Sequence, residues 1–234
     1  MPEVIPAIIP ESFADLEEKV ARVASFAPWV QIDVCDGRFV PAKSWPYNSF
    51  PDPDFESILK EEGGLPDWQE VGYEADLMVS QPEKEAFRWV EAGASRVILH
   101  YESDTMIQGV IAHLRERFGN PKESMMTVEI GLAVGQETEL SLIEPIIPLV
   151  DFVQVMGIAH IGRQGEALDT RTYERLRALR VAHPGLILSV DGGVSEENAK
   201  QLVESGANRL VSGSYIFENE SPKTAIDWLK GLST

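Results

Sequence analysis

Short apolar runs alternate with amphipathic stretches along the whole chain, and this alternation is the main structural signal of the sequence. Runs rich in Val, Ile and Leu predict strands, and apolar residues at helical spacing between them predict helices. The predicted strands cover residues 4–9, 29–35, 72–79, 96–100, 126–134, 152–158, 186–190 and 209–212. The predicted helices cover residues 12–26, 83–92, 104–118, 139–150, 169–182, 196–205 and 222–232. Ser12 is the expected N-cap of the first helix.

Strands that alternate with helices imply parallel strands joined by crossover helices. Eight units of about 28 residues fill the chain, and an eight-stranded barrel of this kind usually has about 250 residues. The alternative is an open doubly wound sheet, which usually has fewer strands and often a Gly-x-Gly-x-x-Gly turn after its first strand. Here Pro10-Glu-Ser follows the first strand instead. We therefore predict an α/β fold in which residues 1–234 form a single (β/α)8 TIM barrel.

One segment departs from the alternation. Residues 37–71 are rich in Pro and contain Trp45 and Trp68, with one helix expected over about 54–61. As the loop after the second strand, this excursion would lie on the functional face of the barrel. The alternative is a surface excursion whose aromatic side chains pack on the barrel, and the sequence favours neither interpretation.

The charge balance narrows the range of partners. The chain has 20 Lys and Arg against 38 Asp and Glu, which gives a net charge of -18. Such a chain repels the phosphates of nucleic acids and of anionic membranes, so neither is an expected partner. With no apolar run of 18 residues and no leader-like start, a cytoplasmic location is expected. The single cysteine, Cys35, excludes an internal disulfide and a zinc site of several cysteines.

Polar residues interrupt the apolar strands near their carboxyl ends, where barrel enzymes place their chemistry. Gln31 and Asp33 are two residues apart and share a face of the strand, whereas Asp36 points the other way. The other polar residues of this kind are Glu74, Asp76, His100, Glu102, Glu129 and Asp191. A buried Asp is costly unless it is paired, hydrogen-bonded or metal-bound. Asp33 and Asp191 could serve as acid and base on opposite faces of one carbon, or each could simply accept hydrogen bonds from nearby backbone amides.

Glycines follow the seventh and eighth strands, in Asp191-Gly-Gly and Gly213-Ser. Glycine lets the backbone approach a ligand closely, and barrel enzymes often bind a phosphate beside these two loops. The two loops therefore favour a phosphate site over tight turns that serve the fold alone.

Several motifs resemble the ribulose-phosphate 3-epimerase family, and the likeness runs nearly from end to end. Asp33-Val-Cys-Asp-Gly-Arg-Phe-Val-Pro resembles the family's Asp-Val-Met-Asp-Gly-x-Phe-Val-Pro. Asp76-Leu-Met-Val-Ser-Gln-Pro-Glu resembles the family's His-Leu-Met-Val-x-x-Pro. Val190-Asp-Gly-Gly-Val and Ser212-Gly-Ser-Tyr-Ile-Phe complete the pattern.

The resemblance implies a barrel of the ribulose-phosphate-binding type that interconverts D-ribulose 5-phosphate and D-xylulose 5-phosphate through an enediolate. By motif position, Asp33 and Asp191 would be the catalytic pair that removes and returns the C3 proton. The residues expected to contact the sugar or its phosphate are Gly192, Gly193, Gly213, Ser214, Met78, Met156, Gly162 and Arg163. Family members commonly self-associate, which makes a homo-oligomer a reasonable expectation.

The sixth loop departs from the family. Where the family usually has Asn-Pro-Gly-Phe-Gly-Gly-Gln, this chain has Ala159-His-Ile-Gly-Arg-Gln, apparently one residue shorter. Side chains would partly replace glycine amides there, and Arg163 could substitute as a phosphate clamp.

The metal ligands depart from the family as well. The family's site has two His and two Asp, whereas here Gln31 and Asp76 stand at the His positions while Asp33 and Asp191 remain. Loss of both imidazoles removes the ligands best suited to Zn²⁺. The remaining oxygen ligands favour Mg²⁺ or Mn²⁺. Without a cation, three carboxylates at one mouth would repel each other, and at least one pKa should rise.

Three functional hypotheses follow. The first is an epimerase of a phosphorylated ketose. The second is a related sugar-phosphate lyase or decarboxylase; such relatives tend to have a Lys two residues after Glu74, where this chain has Asp76. The third is a phosphosugar-binding barrel that has lost catalysis, which the replaced His residues support and the two retained aspartates oppose.

Overall fold

Each predicted strand forms in the computed structural model, which describes residues 1–119, 128–163 and 165–232. The parallel strands pair in chain order, and the last pairs with the first, so the described strands close an eight-stranded barrel. Strands β1 to β8 cover Glu3–Ile8, Trp29–Cys35, Gly72–Met78, Arg96–His100, Glu129–Val134, Phe152–Met156, Ile187–Asp191 and Arg209–Ser212. The predicted (β/α)8 barrel is confirmed; the first part of the fifth predicted strand lies partly outside the described residues, which resume at Val128.

Helices lie between the strands and cover the barrel. Helices α1 to α9 cover Phe13–Ala21, Pro53–Leu59, Pro82–Glu91, Ile107–Phe118, Leu140–Ile143, Arg171–Ala182, Ala199–Glu204, Ser214–Phe217 and Pro222–Lys230. Ser12 caps α1 as predicted, because its hydroxyl accepts a hydrogen bond from the Asp15 amide at 3.2 Å. The short helix α8 was not predicted. Among the described residues, no helix has both the length and the apolar character needed to cross a bilayer.

The prediction of one continuous helix over residues 139–150 is wrong. The structure has α5 at Leu140–Ile143 and then a separate 3₁₀ turn at Ile147–Leu149. Pro145 and Pro148 explain the break, because proline lacks an amide hydrogen and its ring clashes with the preceding helical turn.

Aromatic packing anchors the excursion between β2 and β3. Trp45 is 1% exposed, and its ring meets those of Phe55 in α2 and Trp89 in α3 edge-on, at centroid distances of 5.3 and 5.9 Å. Trp68, in contrast, is 63% exposed. The middle of the excursion therefore packs on the barrel, as one of the two interpretations expected.

Ion pairs fill the amino-terminal end of the barrel interior. Arg96 lies 3.3 Å from Glu74, 3.1 Å from Glu129 and 3.5 Å from Glu3. Arg209 lies 2.7 Å from Glu3 and 3.2 Å from Glu129. Each guanidinium thus bridges carboxylates from different strands, so the network ties the strands together at this end. We call these five residues the barrel floor.

Aromatic rings pack against the barrel floor. The guanidinium of Arg96 lies 3.6 Å from the ring centroid of Trp29, and that of Arg209 lies 4.5 Å from the ring of Phe152. Gly131 makes room for Phe152, since a Cβ there would lie 2.4 Å from the ring. With one end of the barrel filled in this way, a ligand site is expected at the opposite, carboxyl-terminal end.

Candidate active site

A buried aspartate pair lies at the carboxyl-terminal end of the barrel. Strand β2 directs Gln31 and Asp33 into the interior, and β7 ends on Asp191. The Gln31 Nε2 group donates hydrogen bonds to Asp33 Oδ1 at 2.7 Å and to Asp191 Oδ2 at 2.8 Å. Gln31 and Asp33 therefore share a face, as the alternation along a strand predicts. One amide group brings the two carboxylates together across the barrel.

Burial and the negative charges of neighbouring carboxylates raise the pKa values of both aspartates. For Asp33, burial contributes most, followed by the negative charges of Asp191 and Asp76. For Asp191, burial again comes first, followed by Asp76. The hydrogen bonds from Gln31 lower both pKa values but do not offset the rise. The predicted rise in pKa is thus confirmed in direction, and the cluster favours a bound proton or a cation.

A third carboxylate completes an oxygen cluster that could hold a metal ion. Strand pairing puts Asp76 of β3 directly beside Asp33. One oxygen from each of Asp33, Asp76 and Asp191 lies within 4.8 Å of the others. Asp76 Oδ2 and Gln31 Oε1 are buried and have no hydrogen-bond partner among the described residues. Unsatisfied buried oxygens beside three carboxylates fit a hard divalent cation.

The orientation of Gln31 bears on its predicted role as a metal ligand. In the structure its amide nitrogen, rather than its oxygen, faces Asp33 and Asp191. Coordination through Oε1 requires the side-chain amide to flip, so that its oxygen takes the position now occupied by its nitrogen. The amide has nearly the same shape after the flip, but an acceptor replaces the donor. The ligand role of Gln31 therefore stays a prediction.

His100 is a site residue that the sequence reasoning did not connect to the cluster. At the end of β4, its Nε2 lies 3.0 Å from Asp76 Oδ1, and both side chains are fully buried. Burial by itself lowers the pKa of His100, but the negative charge and hydrogen bond of Asp76 outweigh it and raise the pKa. The β3–β4 register pairs Asp76 with Ile98, so His100 lies two positions further along the same interior face.

Two further polar residues support the pair from β6 and β7. Gln154 Nε2 donates to Asp191 Oδ2 at 3.3 Å, and the Ser189 hydroxyl donates to Gln154 Oε1 at 3.2 Å. Sequence reasoning missed both residues. The signal was Gln154 as the one polar residue of Phe152–Met156, and Ser189 two positions before Asp191 in Ile187–Asp191. Gln154 thus gives Asp191 Oδ2 a second donor, from β6, in addition to the donor from Gln31.

One cavity at this end brings the predicted catalytic and substrate-contact residues together. Its lining includes Asp33, Met78, Met156, Gly162, Arg163, Asp191, Gly192, Gly193, Gly213 and Ser214. Ala7 also lines the cavity. Asp76 and Gln31 do not line this cavity themselves; they lie next to Asp33 and Asp191, which do.

Glycine is required where the loops after β6 and β7 meet. Gly193 has a φ of +71°, and a Cβ there would lie 2.6 Å from the Leu168 amide nitrogen. A Cβ on Gly157 would lie only 2.1 Å from the carbonyl oxygen of Gly192. Both contacts are closer than real Cβ atoms allow, so larger residues would displace the backbone that lines the cavity.

The first part of the excursion packs against residues that line the cavity. A Cβ on Gly162 would lie 3.0 Å from Val40, so the loops after β2 and β6 touch at this point. The Phe39 ring lies 5.5 Å from that of His100. Residues near Phe39 therefore lie on the functional face, while Trp45 packs on the barrel, and each interpretation of the excursion holds for one part of it.

Asp36 lies outside the cavity and stabilises this part of the excursion. Its carboxylate accepts hydrogen bonds from the amides of Arg38, Phe39 and Ser80 at 2.8, 3.0 and 2.8 Å. Partial burial raises the pKa of Asp36, but these hydrogen bonds outweigh burial, and the net shift is downward. The opposite orientation of Asp36 relative to Asp33 agrees with the strand pattern.

The fold and the site together define a TIM-barrel enzyme whose acidic groups and glycine loops meet at the carboxyl ends of the strands. More specifically, the chain belongs to the ribulose-phosphate 3-epimerase family, whose sequence profile matches residues 3–217.

Individual relatives agree with this assignment. The chain is 28% identical over 229 residues to the ribulose-phosphate 3-epimerase of Schizosaccharomyces pombe, covering 97% of this chain and 92% of the relative. It is 31% identical over 232 residues to the chloroplastic ribulose-5-phosphate-3-epimerase of Arabidopsis thaliana, covering 97% and 75%. The crystal structure of 3-keto-L-gulonate-6-phosphate decarboxylase from Vibrio cholerae matches with a TM-score of 0.69 at 14% identity, covering 98% and 95%. That last likeness shows a shared fold alone.

Proposed function

We propose that this protein is an epimerase of a phosphorylated pentulose, of the ribulose 5-phosphate and xylulose 5-phosphate type. The observation that carries the proposal is the aspartate pair. Asp33 and Asp191 line one cavity, and the amide of Gln31 donates a hydrogen bond to each of them. Two carboxyl groups held in this way can remove a proton from one face of a carbon and return one to the other.

The electrostatics of the pair supports this division of roles. Two close carboxylates in a buried site resist double ionisation, so one is protonated while the other is ionised. The ionised aspartate removes the C3 proton, which gives an enediolate, and the protonated aspartate donates its proton to the opposite face. Because each turnover exchanges the protonation states of Asp33 and Asp191, the same pair serves both directions of the reaction.

The remaining cavity residues suit a sugar phosphate. Gly192 and Gly193 after β7, with Gly213 and Ser214 after β8, line the part of the cavity where barrel enzymes commonly bind a phosphate. Arg163 adds a guanidinium, which binds phosphate oxygens through two parallel hydrogen bonds. The apolar side chains of Met78 and Met156 line the same cavity and, in the proposed complex, flank the reacting carbons.

A divalent cation belongs to this proposal. Asp33, Asp76 and Asp191 would hold it, with Gln31 Oε1 as a fourth ligand. These are all oxygen atoms, so we propose Mg²⁺ or Mn²⁺ in preference to Zn²⁺. When bound, the cation supplies positive charge beside the reacting carbon and reduces repulsion among the carboxylates. Self-association and a cytoplasmic location stay predictions from the sequence.

Proton exchange in heavy water tests the proposed function directly. Purified protein with Mg²⁺ or Mn²⁺ is incubated with D-ribulose 5-phosphate in D₂O, and deuterium at C3 is followed by NMR. We expect incorporation together with formation of xylulose 5-phosphate. Asp33→Asn and Asp191→Asn should each abolish both while the circular dichroism spectrum is retained. Asp104→Asn changes a carboxylate that follows β4 outside the cavity and should leave turnover intact.

Other outcomes would replace the proposal with one of the alternatives. Cleavage or decarboxylation of a sugar phosphate without epimerisation would indicate a lyase. Binding of ribulose 5-phosphate without exchange at C3, with every cation tested, would indicate a barrel that binds phosphosugars without turning them over.

A further inference from the structure

The two oxygens of Asp76 have different surroundings. Oδ1 lies 3.0 Å from His100 Nε2, whereas Oδ2 is buried and has no hydrogen-bond partner among the described residues. Both side chains have an exposed fraction of 0%. A buried carboxylate with one oxygen paired and one free is costly unless something else binds the free oxygen.

Asp76 also needs a partner that holds it in place. Asp33 and Asp191 each offer an oxygen within 4.8 Å of one on Asp76, and the ionised member of that pair carries the same charge as Asp76. Like charges at this distance favour rotation of the Asp76 carboxyl group away from the cluster. The hydrogen bond to His100 opposes that rotation.

Two contacts limit the movement of His100. The Phe39 ring packs against its imidazole at a centroid distance of 5.5 Å. The His100 carbonyl accepts a hydrogen bond from the Ser103 hydroxyl at 2.7 Å, at the end of β4, whereas Nδ1 has no hydrogen-bond partner among the described residues. An imidazole that donates to a carboxylate ligand is the kind of outer contact that orients ligands in metal sites.

We propose that His100 is the positioning residue of the cation site: its Nε2 holds Asp76 Oδ1 so that Oδ2 stays available, beside Asp33 and Asp191, to a divalent cation. This rests on the cation of the proposed function and extends it to a residue outside the ligand set. The donor exists in both the Nε2–H neutral form and the protonated form of the imidazole, so the role does not depend on the titration of His100.

Binding of Mn²⁺ in the absence of substrate tests the proposal. Free Mn²⁺ is measured by electron paramagnetic resonance for the wild type and for two amide variants of His100. The Asn side chain is too short to reach Asp76, so we expect His100→Asn to weaken Mn²⁺ binding by about 10- to 100-fold. The Gln side chain can place its Nε2 near the position of the imidazole Nε2, so His100→Gln should bind Mn²⁺ within about threefold of the wild type.

Matched controls separate this role from general destabilisation. His113→Asn changes a histidine of α4 that is 55% exposed and should leave Mn²⁺ binding unchanged. If His100 acts through Asp76, adding His100→Asn to Asp76→Asn should cause no further loss. The melting temperatures of all variants are compared, and His100→Met provides a second donor-free variant if His100→Asn does not fold.

The proposal fails if the wild type does not bind Mn²⁺, or if His100→Asn binds it as tightly as the wild type. It also fails if His100→Gln loses as much affinity as His100→Asn, since packing of the ring would then matter rather than its donor. The proposed epimerase activity is judged separately, by deuterium exchange at C3. Mn²⁺ binding that depends on His100, without such exchange, would refute the activity and leave the role of His100 intact.

Discussion

Gln31 offers a sharp test of how the aspartate pair is organised. The variant Gln31→Met keeps the length and volume of the side chain but removes both hydrogen bonds, of 2.7 and 2.8 Å, to Asp33 and Asp191. In the proposed mechanism one aspartate is ionised and the other is protonated, so one hydrogen bond contributes about 1.5–3 kcal/mol and the other about 0.5–1.5 kcal/mol, roughly 2–4.5 kcal/mol together. Since about 1.4 kcal/mol corresponds to a factor of ten in rate, we expect kcat to fall at least about 25-fold.

The assay is the steady-state rate of epimerisation, measured with a coupled enzyme that consumes xylulose 5-phosphate. Gln154→Met is the matched control, because Gln154 donates to Asp191 but not to Asp33, and at the longer distance of 3.3 Å. Gln154→Met should lower kcat by about tenfold or less. Melting temperatures show whether each variant is folded. The reasoning is refuted if folded Gln31→Met keeps kcat within about threefold of the wild type, or if Gln154→Met costs as much.

Three further predictions concern the loops around the cavity. Gly157→Ala places a Cβ 2.1 Å from the Gly192 carbonyl, so kcat/KM should fall by about 100-fold in steady-state assays as the loop shifts. Arg163→Gln removes the guanidinium proposed to bind the phosphate and should raise KM by about 10- to 100-fold with kcat nearly unchanged. Asp36→Asn should lower the free energy of unfolding at pH 7 by about 1 kcal/mol, measured with urea. The pKa of Asp36 is lower in the folded state than in the unfolded state. Its contribution to stability is therefore fully present above the unfolded-state pKa and is lost as the pH falls through the folded-state pKa. The difference in unfolding free energy between Asp36→Asn and the wild type should shrink below about pH 4.

Control variants and contradicting outcomes accompany these predictions. Gly109→Ala, where a Cβ meets nothing within 4 Å, should leave kcat/KM unchanged. Arg177→Gln removes an exposed cation of α6 and should not affect KM. An unchanged KM in Arg163→Gln would remove Arg163 from the phosphate site. A stability difference for Asp36→Asn that is constant from pH 7 to pH 3 would show that the charge of Asp36 is not responsible.

Much of the barrel could be predicted from the sequence, because strands and helices leave different periodicities of apolar residues. The strands β2, β4 and β8 have exactly the predicted bounds. The prediction of a continuous helix over 139–150 was wrong because it followed the apolar periodicity and ignored the two prolines inside the segment. The same-face relation of Gln31 and Asp33 was also predictable, since it depends only on alternation along one strand.

The contacts between strands could not be predicted in this way. The pairing of His100 with Asp76 depends on the register between β3 and β4, which strand patterns alone do not determine. The orientation of the Gln31 amide depends on side-chain rotation inside the barrel. The sequence did identify the residues of both contacts as polar positions near strand ends. It could not show which of these side chains contact each other, or through which atoms.

The barrel floor determines where solvent can exchange protons with the aspartate pair. Arg96 and Arg209, with their carboxylate partners and the ring of Phe152, occupy the end of the interior opposite the aspartates. Solvent must therefore reach Asp33 and Asp191 from the side where a sugar phosphate would enter. A bound sugar would then block the single opening through which solvent reaches the aspartates. A proton taken from the sugar would therefore exchange with bulk water chiefly after the product has left.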